Sequence, residues 1–258
     1  MSTQARVRSR ELRNARAAAE LRRKKRNRIV AAAGGLVIVG LVIAIVVALV
    51  NAAGAGSQGG TRARGGGAAP AIATAGGALA VGDAAAPVKL EVYLDYMCPF
   101  CGRFEQANSA ELDRMLAEGT ARLELYPMSF LDKMSSGTEY STRAANAVAT
   151  VADRAPGRVM AFNTALFANQ PEEGSDGLTD AEIAELARGA GVPQGVVDLF
   201  DDRIFESWVA TSTTAVFETG IQGTPTVKVD GEVFQGDLYS TGPLSTAVTA
   251  AATAAKGQ

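Results

Sequence analysis

The two cysteines of this chain, Cys98 and Cys101, are separated by two residues and lie between two segments of different periodicity. Residues 88–94, before the pair, alternate apolar and polar side chains as a strand with two distinct faces does. Residues 100–116, after it, carry apolar side chains at helical spacing, and the pattern stops at Gly119. The pair is therefore predicted to lie where a strand turns into a helix.

This position favours redox chemistry at the cysteines. Pro99 suits the first helical turn, where its missing N–H costs nothing. Cys98 then meets the unpaired N–H groups and the positive dipole end of the helix, which favour a thiolate over a thiol. Cys101 lies about one turn below and is close enough to attack a mixed disulfide formed at Cys98. The spacing predicts thiol–disulfide exchange with no cofactor beyond a redox-active Cys98–Cys101 disulfide.

Two other interpretations of the cysteine pair are less well supported. Zinc sites usually have four ligands, and the chain has no second cysteine pair and no histidine. We therefore predict no metal site. A purely structural disulfide gains stability by closing a long loop, and a two-residue loop constrains almost nothing.

The charge of the chain is divided unevenly. Residues 1–28 hold eleven basic and two acidic side chains, which leaves fourteen basic and twenty-five acidic side chains for the rest. The next 22 residues, Ile29–Val50, are uncharged and would rise roughly 33 Å as a helix, close to the thickness of the hydrocarbon core. We predict a transmembrane signal-anchor at 29–50, with the basic segment in the cytoplasm and the remainder outside the cell.

A cleaved signal peptide is the alternative, since Ala53–Ala55 could serve as a cleavage site. The apolar run is longer than an ordinary signal core, however, which favours a retained helix. Basic leaders also occur in nucleic-acid-binding proteins. Next to a membrane span, membrane topology explains the charge, and we predict no nucleic-acid partner.

The remainder is predicted to be a tethered α/β domain. Residues 51–77 are mostly Ala, Gly, Ser and Thr and are expected to form a flexible linker. Residues 78–256 then read as two strands, the cysteine helix, a strand, a helical insertion at about 138–219, a β-hairpin with its turn at Asp230-Gly231, and a final helix.

Two motifs resemble those of the DsbA-like disulfide oxidoreductases of the thioredoxin superfamily. One is Asp95–Cys101 (DYMCPFC), and the other is Gly220–Thr226 (GIQGTPT), which precedes the hairpin and the final helix. The resemblance covers residues 78–256 and implies a thioredoxin-like fold with an inserted helical subdomain. It further implies that Pro225 is cis and faces the cysteines. By the same resemblance, the backbone of Thr224 pairs with an extended substrate segment.

The residues around the cysteines also depart from the family pattern. By the resemblance, Phe100, Tyr96 and Met97 are expected to give the cysteines an apolar rim, and half-buried packing is the alternative for each. Phe100 stands where many members have a thiolate-stabilising histidine, so a less oxidising couple is expected. Val92 stands where thioredoxin-type domains often have an acid. Asp95 is the remaining candidate for proton transfer to or from Cys101.

The resulting expectation is a membrane-anchored extracytoplasmic enzyme that oxidises cysteines of exported proteins. A quinone-coupled membrane oxidase would reoxidise the cysteine pair. The alternatives are a reductase or isomerase of the same fold, which would also act on mispaired cysteines, and a non-catalytic module that only binds peptides.

Overall fold

The computed structural model describes residues 68–256, which contain five strands and seven α-helices. The strands are β1 (Leu79–Val81), β2 (Val88–Leu94), β3 (Ala121–Pro127), β4 (Thr226–Val229) and β5 (Glu232–Val233). The helices are α1 (Pro99–Ala117), α2 (Tyr140–Arg154), α3 (Val159–Ala168), α4 (Asp180–Gly189), α5 (Gln194–Val197), α6 (Glu206–Glu218) and α7 (Pro243–Lys256).

The five strands form one sheet in the order β1-β3-β2-β4-β5. β2 and β3 are parallel, and every other neighbouring pair is antiparallel. The turn between β4 and β5 has positive φ at both Asp230 and Gly231, as a two-residue hairpin turn requires. The predicted hairpin is therefore confirmed. β2 lies at the centre of the sheet and delivers the cysteines from its carboxyl end.

Helices cover both faces of this sheet. On one face, Val92 belongs to the main core together with Phe104 of α1 and Val248 of α7. On the other face, Tyr93 and Tyr126 stack with their ring centroids 4.2 Å apart, in a smaller cluster with Val216 of α6. The alternation along β2 thus separates two apolar layers, and the predicted α/β class is confirmed.

The helical insertion lies between β3 and β4 and comprises α2 to α6. Its helix α4 begins with a capping box in which Thr179 and Glu182 bond reciprocally. Within the insertion, α3 packs directly against α1. The thioredoxin-like fold with an inserted helical subdomain is confirmed, and the insertion borders the helix that carries the cysteines.

The folded region begins earlier than the predicted boundary at residue 78. Pro70 is buried, Ile72 and Ala73 pack against the main core, and the Ile72 carbonyl accepts a hydrogen bond from the amide of Ala80 at 2.9 Å. The predicted linker 51–77 is therefore too long at its C-terminal end. One large apolar residue among Ala, Gly and Thr is too weak a pattern to indicate this packing.

The predicted basic segment 1–28, the anchor 29–50 and the linker as far as residue 67 lie outside the described residues. Within the described part, no helix combines the length and the apolar character needed to cross a membrane.

Candidate active site

The cysteine pair stands at the junction of β2 and α1, as predicted. Cys98 has extended backbone angles and precedes α1 as its N-cap, and Pro99 is the first helical residue. The Cys98 carbonyl accepts hydrogen bonds from the amides of Cys101 at 2.9 Å and Gly102 at 3.2 Å. The helix therefore begins at the cysteine, with the sulfur beside the amides of its first turn.

The Cys98 thiol is held almost out of solvent, with 5% of the residue exposed. Its Sγ lies 3.3 Å from the carbonyl oxygen of Thr224. A hydrogen bond from the Cys101 thiol is the main reason that the pKa of Cys98 falls to about 6, against the opposing effect of burial. The Thr224 side chain and the amides of Cys101 and Phe100 lower this pKa further. Cys98 is therefore a stabilised thiolate at neutral pH.

Cys101 has the opposite character. Its thiol is fully buried, and burial raises its pKa well above the ordinary value. The Cys98 thiol raises this pKa further, and the backbone N–H of Asp95 opposes the rise. One cysteine is therefore ready to react as a thiolate, and the other is a protonated thiol one turn below it.

Thr224 lies beside Cys98, with its carbonyl oxygen 3.3 Å from Sγ, and Pro225 is the next residue in the chain. The Thr224–Pro225 peptide bond is cis. The Thr224 hydroxyl is buried and, among the described residues, has no hydrogen-bond partner. It is close enough to the Cys98 thiol to lower its pKa, although its geometry in this structure falls short of a hydrogen bond.

Asp95 is fully buried next to the cysteine turn, but its carboxylate is occupied elsewhere. Oδ1 accepts from the Met97 amide at 2.8 Å and from the Ser141 hydroxyl at 2.6 Å, and Oδ2 accepts from the Leu131 amide at 2.8 Å. Burial raises its pKa to about 6, although these hydrogen bonds act in the other direction. In this structure Asp95 joins the turn to the loop after β3 and to α2, and proton transfer by Asp95 stays a prediction.

The apolar rim differs from the expected one. Phe100 is 50% exposed, whereas Tyr96 and Met97 are buried in the core, so those two residues do not form a rim. The exposed neighbour of Phe100 is instead Tyr239, 39% exposed, with the ring centroids 6.1 Å apart. The Arg103 guanidinium lies over both rings, 5.6 Å from the Phe100 centroid and 4.5 Å from that of Tyr239.

The sequence also gave no sign of Gln170, which follows α3 in the insertion. Its side-chain amide donates to the carbonyl of Tyr96 at 3.1 Å and to that of Cys98 at 2.8 Å. A Cβ at Gly102 would collide with this amide. The insertion thus holds the cysteine turn in place, and a side chain at Gly102 would displace the Gln170 amide from these carbonyls.

A buried acid near the resolving cysteine was also missed. Val92 is part of the apolar core, but Glu105 lies four residues after Cys101 on the same face of α1 and is 3% exposed. Burial raises its pKa to about 7. Helical spacing from Cys101 was the signal that could have identified it.

The chain matches a known family model and several solved structures. The thioredoxin family model matches residues 74–243. Among solved structures, the chain is similar to MdbA, a thiol-disulfide oxidoreductase from Actinomyces oris. The two are 27% identical, with 74% of this chain and 93% of MdbA covered and a TM-score of 0.62. It is also similar to oxidised DsbA from Mycobacterium tuberculosis at 26% identity, with 69% of this chain and 99% of that one covered and a TM-score of 0.58.

A curated relative is similar over a shorter stretch. The serine/threonine-protein kinase PknE of Mycobacterium tuberculosis is 30% identical over 155 residues. The match covers 57% of this chain and 27% of PknE, so this chain spans about a quarter of the length of that relative.

Proposed function

Because the chain belongs to the thioredoxin family and is a DsbA-like thiol–disulfide oxidoreductase, we propose that it is an extracytoplasmic oxidase that introduces disulfides into exported proteins. The observation that carries the proposal is the contrast between Cys98 and Cys101. The first is a thiolate at a helix N-terminus beside Thr224, and the second is a buried, protonated thiol.

The reaction begins with the Cys98–Cys101 disulfide. A substrate thiolate attacks the Cys98 sulfur, the bond to Cys101 breaks, and Cys101 leaves and takes up a proton. A second substrate thiolate then attacks the substrate sulfur of the mixed disulfide and releases the Cys98 thiolate. Two electrons pass from the substrate to the cysteine pair, and the substrate leaves with a disulfide.

The low pKa of Cys98 favours this direction. The final step releases Cys98, and a thiol of lower pKa leaves faster. The same stabilisation of the thiolate makes the reduced enzyme the more stable product. Both effects support oxidation of the substrate over reduction.

The substrate would bind along the backbone at Thr224. This residue precedes β4 and presents its carbonyl towards Cys98. An extended chain adding to this edge would bring its cysteine to Cys98. The exposed rings of Phe100 and Tyr239 would offer apolar contact, which suits a substrate that has not yet folded.

The membrane context is part of the proposal. The basic segment 1–28 and the apolar run 29–50 support an anchored protein whose redox domain lies outside the cell. Tethering would keep the cysteine pair near a quinone-coupled membrane oxidase that restores its disulfide.

The experiment is oxidation of a reduced two-cysteine peptide by the oxidised full-length protein. We expect stoichiometric formation of the peptide disulfide. Trapping is tested with the oxidised, disulfide-bonded peptide: the Cys98 thiolate of Cys101→Ala should attack the peptide disulfide, release one peptide thiol and accumulate the mixed disulfide, because the resolving thiol is gone, whereas Cys98→Ala should trap little. Equal trapping by both variants, or no oxidation by the wild type, would contradict the proposal.

A further inference from the structure

A cavity opens beside the cysteine turn, between α1 and α3. It has a volume of about 530 Å³ and begins at Pro99, directly next to Cys98. Its walls come from both helices and from Gln170 beyond α3. They include Gly102, Glu105, Thr164 and Phe167.

Glu105 is the unusual member of this lining, because it is an acid with only 3% of its surface exposed. Its Oε1 accepts from the side-chain amide of Asn163 and from the Thr164 hydroxyl, both at 2.9 Å. Within residues 68–256, its Oε2 has no hydrogen-bond partner and is not among the fully enclosed unpaired atoms. Glu105 lines the cavity with Oε1 engaged by Asn163 and Thr164, which leaves Oε2 as the oxygen open to it.

When Glu105 is ionised, its carboxylate is the one negative charge among the residues that line the cavity. Burial raises the pKa of Glu105 to about 7, hydrogen bonds from Thr164 and Asn163 oppose the rise, and the negative charge of Asp113 adds to it. Arg103 also lines the cavity, but its guanidinium lies over the Phe100 and Tyr239 rings.

We propose that this cavity is a subsite for a lysine side chain of the substrate, whose ammonium group binds Oε2 of Glu105. The inference rests on the proposed function, since it specifies which polypeptides the oxidase prefers. Oε2 belongs to a largely buried side chain and has no donor among the described residues, and an ammonium supplies both a donor and the opposite charge.

The position of Glu105 sets where the lysine must be. Glu105 follows Cys98 by seven residues, or about 10 Å along the helix axis. A lysine side chain spans roughly 6 Å, so a lysine within about three residues of the reacting cysteine, at about 3.3 Å per residue, can reach Glu105.

The test compares two-cysteine peptides that carry lysine or norleucine at each position within three residues of the first cysteine. The oxidised full-length protein and each reduced peptide are mixed at pH 8, where Glu105 is ionised. At one position, the wild type should oxidise the lysine peptide in a single turnover with a second-order rate constant about tenfold higher, the size expected of a desolvated charge pair. The difference should appear in the peptide concentration that gives half the maximal rate, because Glu105 does not touch the reacting sulfurs.

Three variants test whether the lysine preference arises from Glu105 in this cavity. Glu105→Gln keeps the acceptor for Asn163 and Thr164 but loses the charge, so the lysine preference should disappear. Ala168→Trp should also abolish it, by filling the cavity mouth from a different residue. Glu111→Gln removes an acid from the same helix outside the cavity, next to Arg114, and should retain the preference.

Equal rates for the two peptides with the wild type would overturn the subsite. So would a preference that survives Glu105→Gln, or an equal slowing of both peptides by that variant. Binding of serine-for-cysteine versions of the peptides, followed by NMR, separates the two proposals. Tighter binding of the lysine peptide without any oxidation would support the subsite and contradict the oxidase, and equal binding would overturn the subsite whatever the rates.

Discussion

The thiol of Cys98 and the carbonyl oxygen of Thr224 lie 3.3 Å apart, although 126 positions separate them in the chain. The pairing of β2 with β4 causes this approach. Tyr93 stands opposite Thr226 in the sheet, so the chain leaving β2 and the chain entering β4 meet at the same edge. The residue before Pro225 is thus positioned to influence the reactive thiol and any peptide bound to it.

The free energy of unfolding should depend on pH differently in the reduced and the oxidised protein. The pKa of Cys98 falls from an ordinary value of 9.0 to about 6 in the folded reduced protein. A lowered pKa contributes stability that is fully present above pH 9 and is lost as the pH falls through 6. Compared with the oxidised protein, the reduced protein should therefore gain on the order of 2–3 kcal/mol between pH 6 and pH 9.

Urea unfolding of both redox forms at pH 5.5, 7 and 8.5 measures this difference. The carboxyls of Asp95 and Glu105 titrate in both forms, so their contributions cancel in the comparison. Reduced Cys98→Ser, which lacks the thiolate, should show no such gain. A difference between the two forms that stays constant with pH would show that the Cys98 thiolate is not stabilised by folding.

Phe100→His should make the couple more oxidising. The chain contains no histidine, and Phe100 is half exposed beside the reactive turn, so an imidazole fits without disturbing the core. An imidazolium there would stabilise the Cys98 thiolate and therefore the reduced form. The reduction potential should rise by about 30 mV or more, which corresponds to about 1.4 kcal/mol for a two-electron couple.

Thiol titration measures the pKa of Cys98, and redox equilibration with glutathione measures the reduction potential. Ile204→His places the same residue at another exposed apolar position outside the site and serves as the control. A potential that stays constant or falls in Phe100→His would mean that another group governs the thiolate.

The parts of the site that local patterns encode were predictable. The turn from β2 into α1 depends on periodicity within about 30 residues, and the Asp230-Gly231 hairpin depends on two backbone conformations. Contacts between distant elements were not predictable in this way. Gln170 reaches the Cys98 carbonyl from the helical insertion, and Tyr239 reaches Phe100 from the segment after β5, and neither segment carries a local sign of its partner.

The local sequence pattern also did not indicate which side chains near the cysteines are buried. Tyr96 and Met97 flank the reactive residue and look suited to a rim. The insertion covers Tyr96, however, and its ring packs 5.0 Å from that of Phe167. Glu105 is buried for the same reason, since α3 packs over its face of α1. Only the position of the insertion decides which of these side chains reach solvent.

The predicted membrane anchor lies before the described residues. If 29–50 spans the membrane with 1–28 in the cytoplasm, protease added to spheroplasts should remove the redox domain and spare the N-terminal segment. A cytoplasmic protein followed in the same sample should remain intact. Protection of the domain until the membrane is disrupted would contradict an extracytoplasmic location.

The most direct test of the account is the reduction potential of the Cys98–Cys101 couple, measured in full-length protein equilibrated with glutathione. A thiolate with a pKa of about 6 favours the reduced form. We therefore predict a potential more positive than about −200 mV, towards the strongly oxidising end of the thioredoxin superfamily near −120 mV. A value below about −200 mV, towards the −270 mV of a thioredoxin-like reductant, would contradict the proposed oxidase and favour a reductase of the same fold.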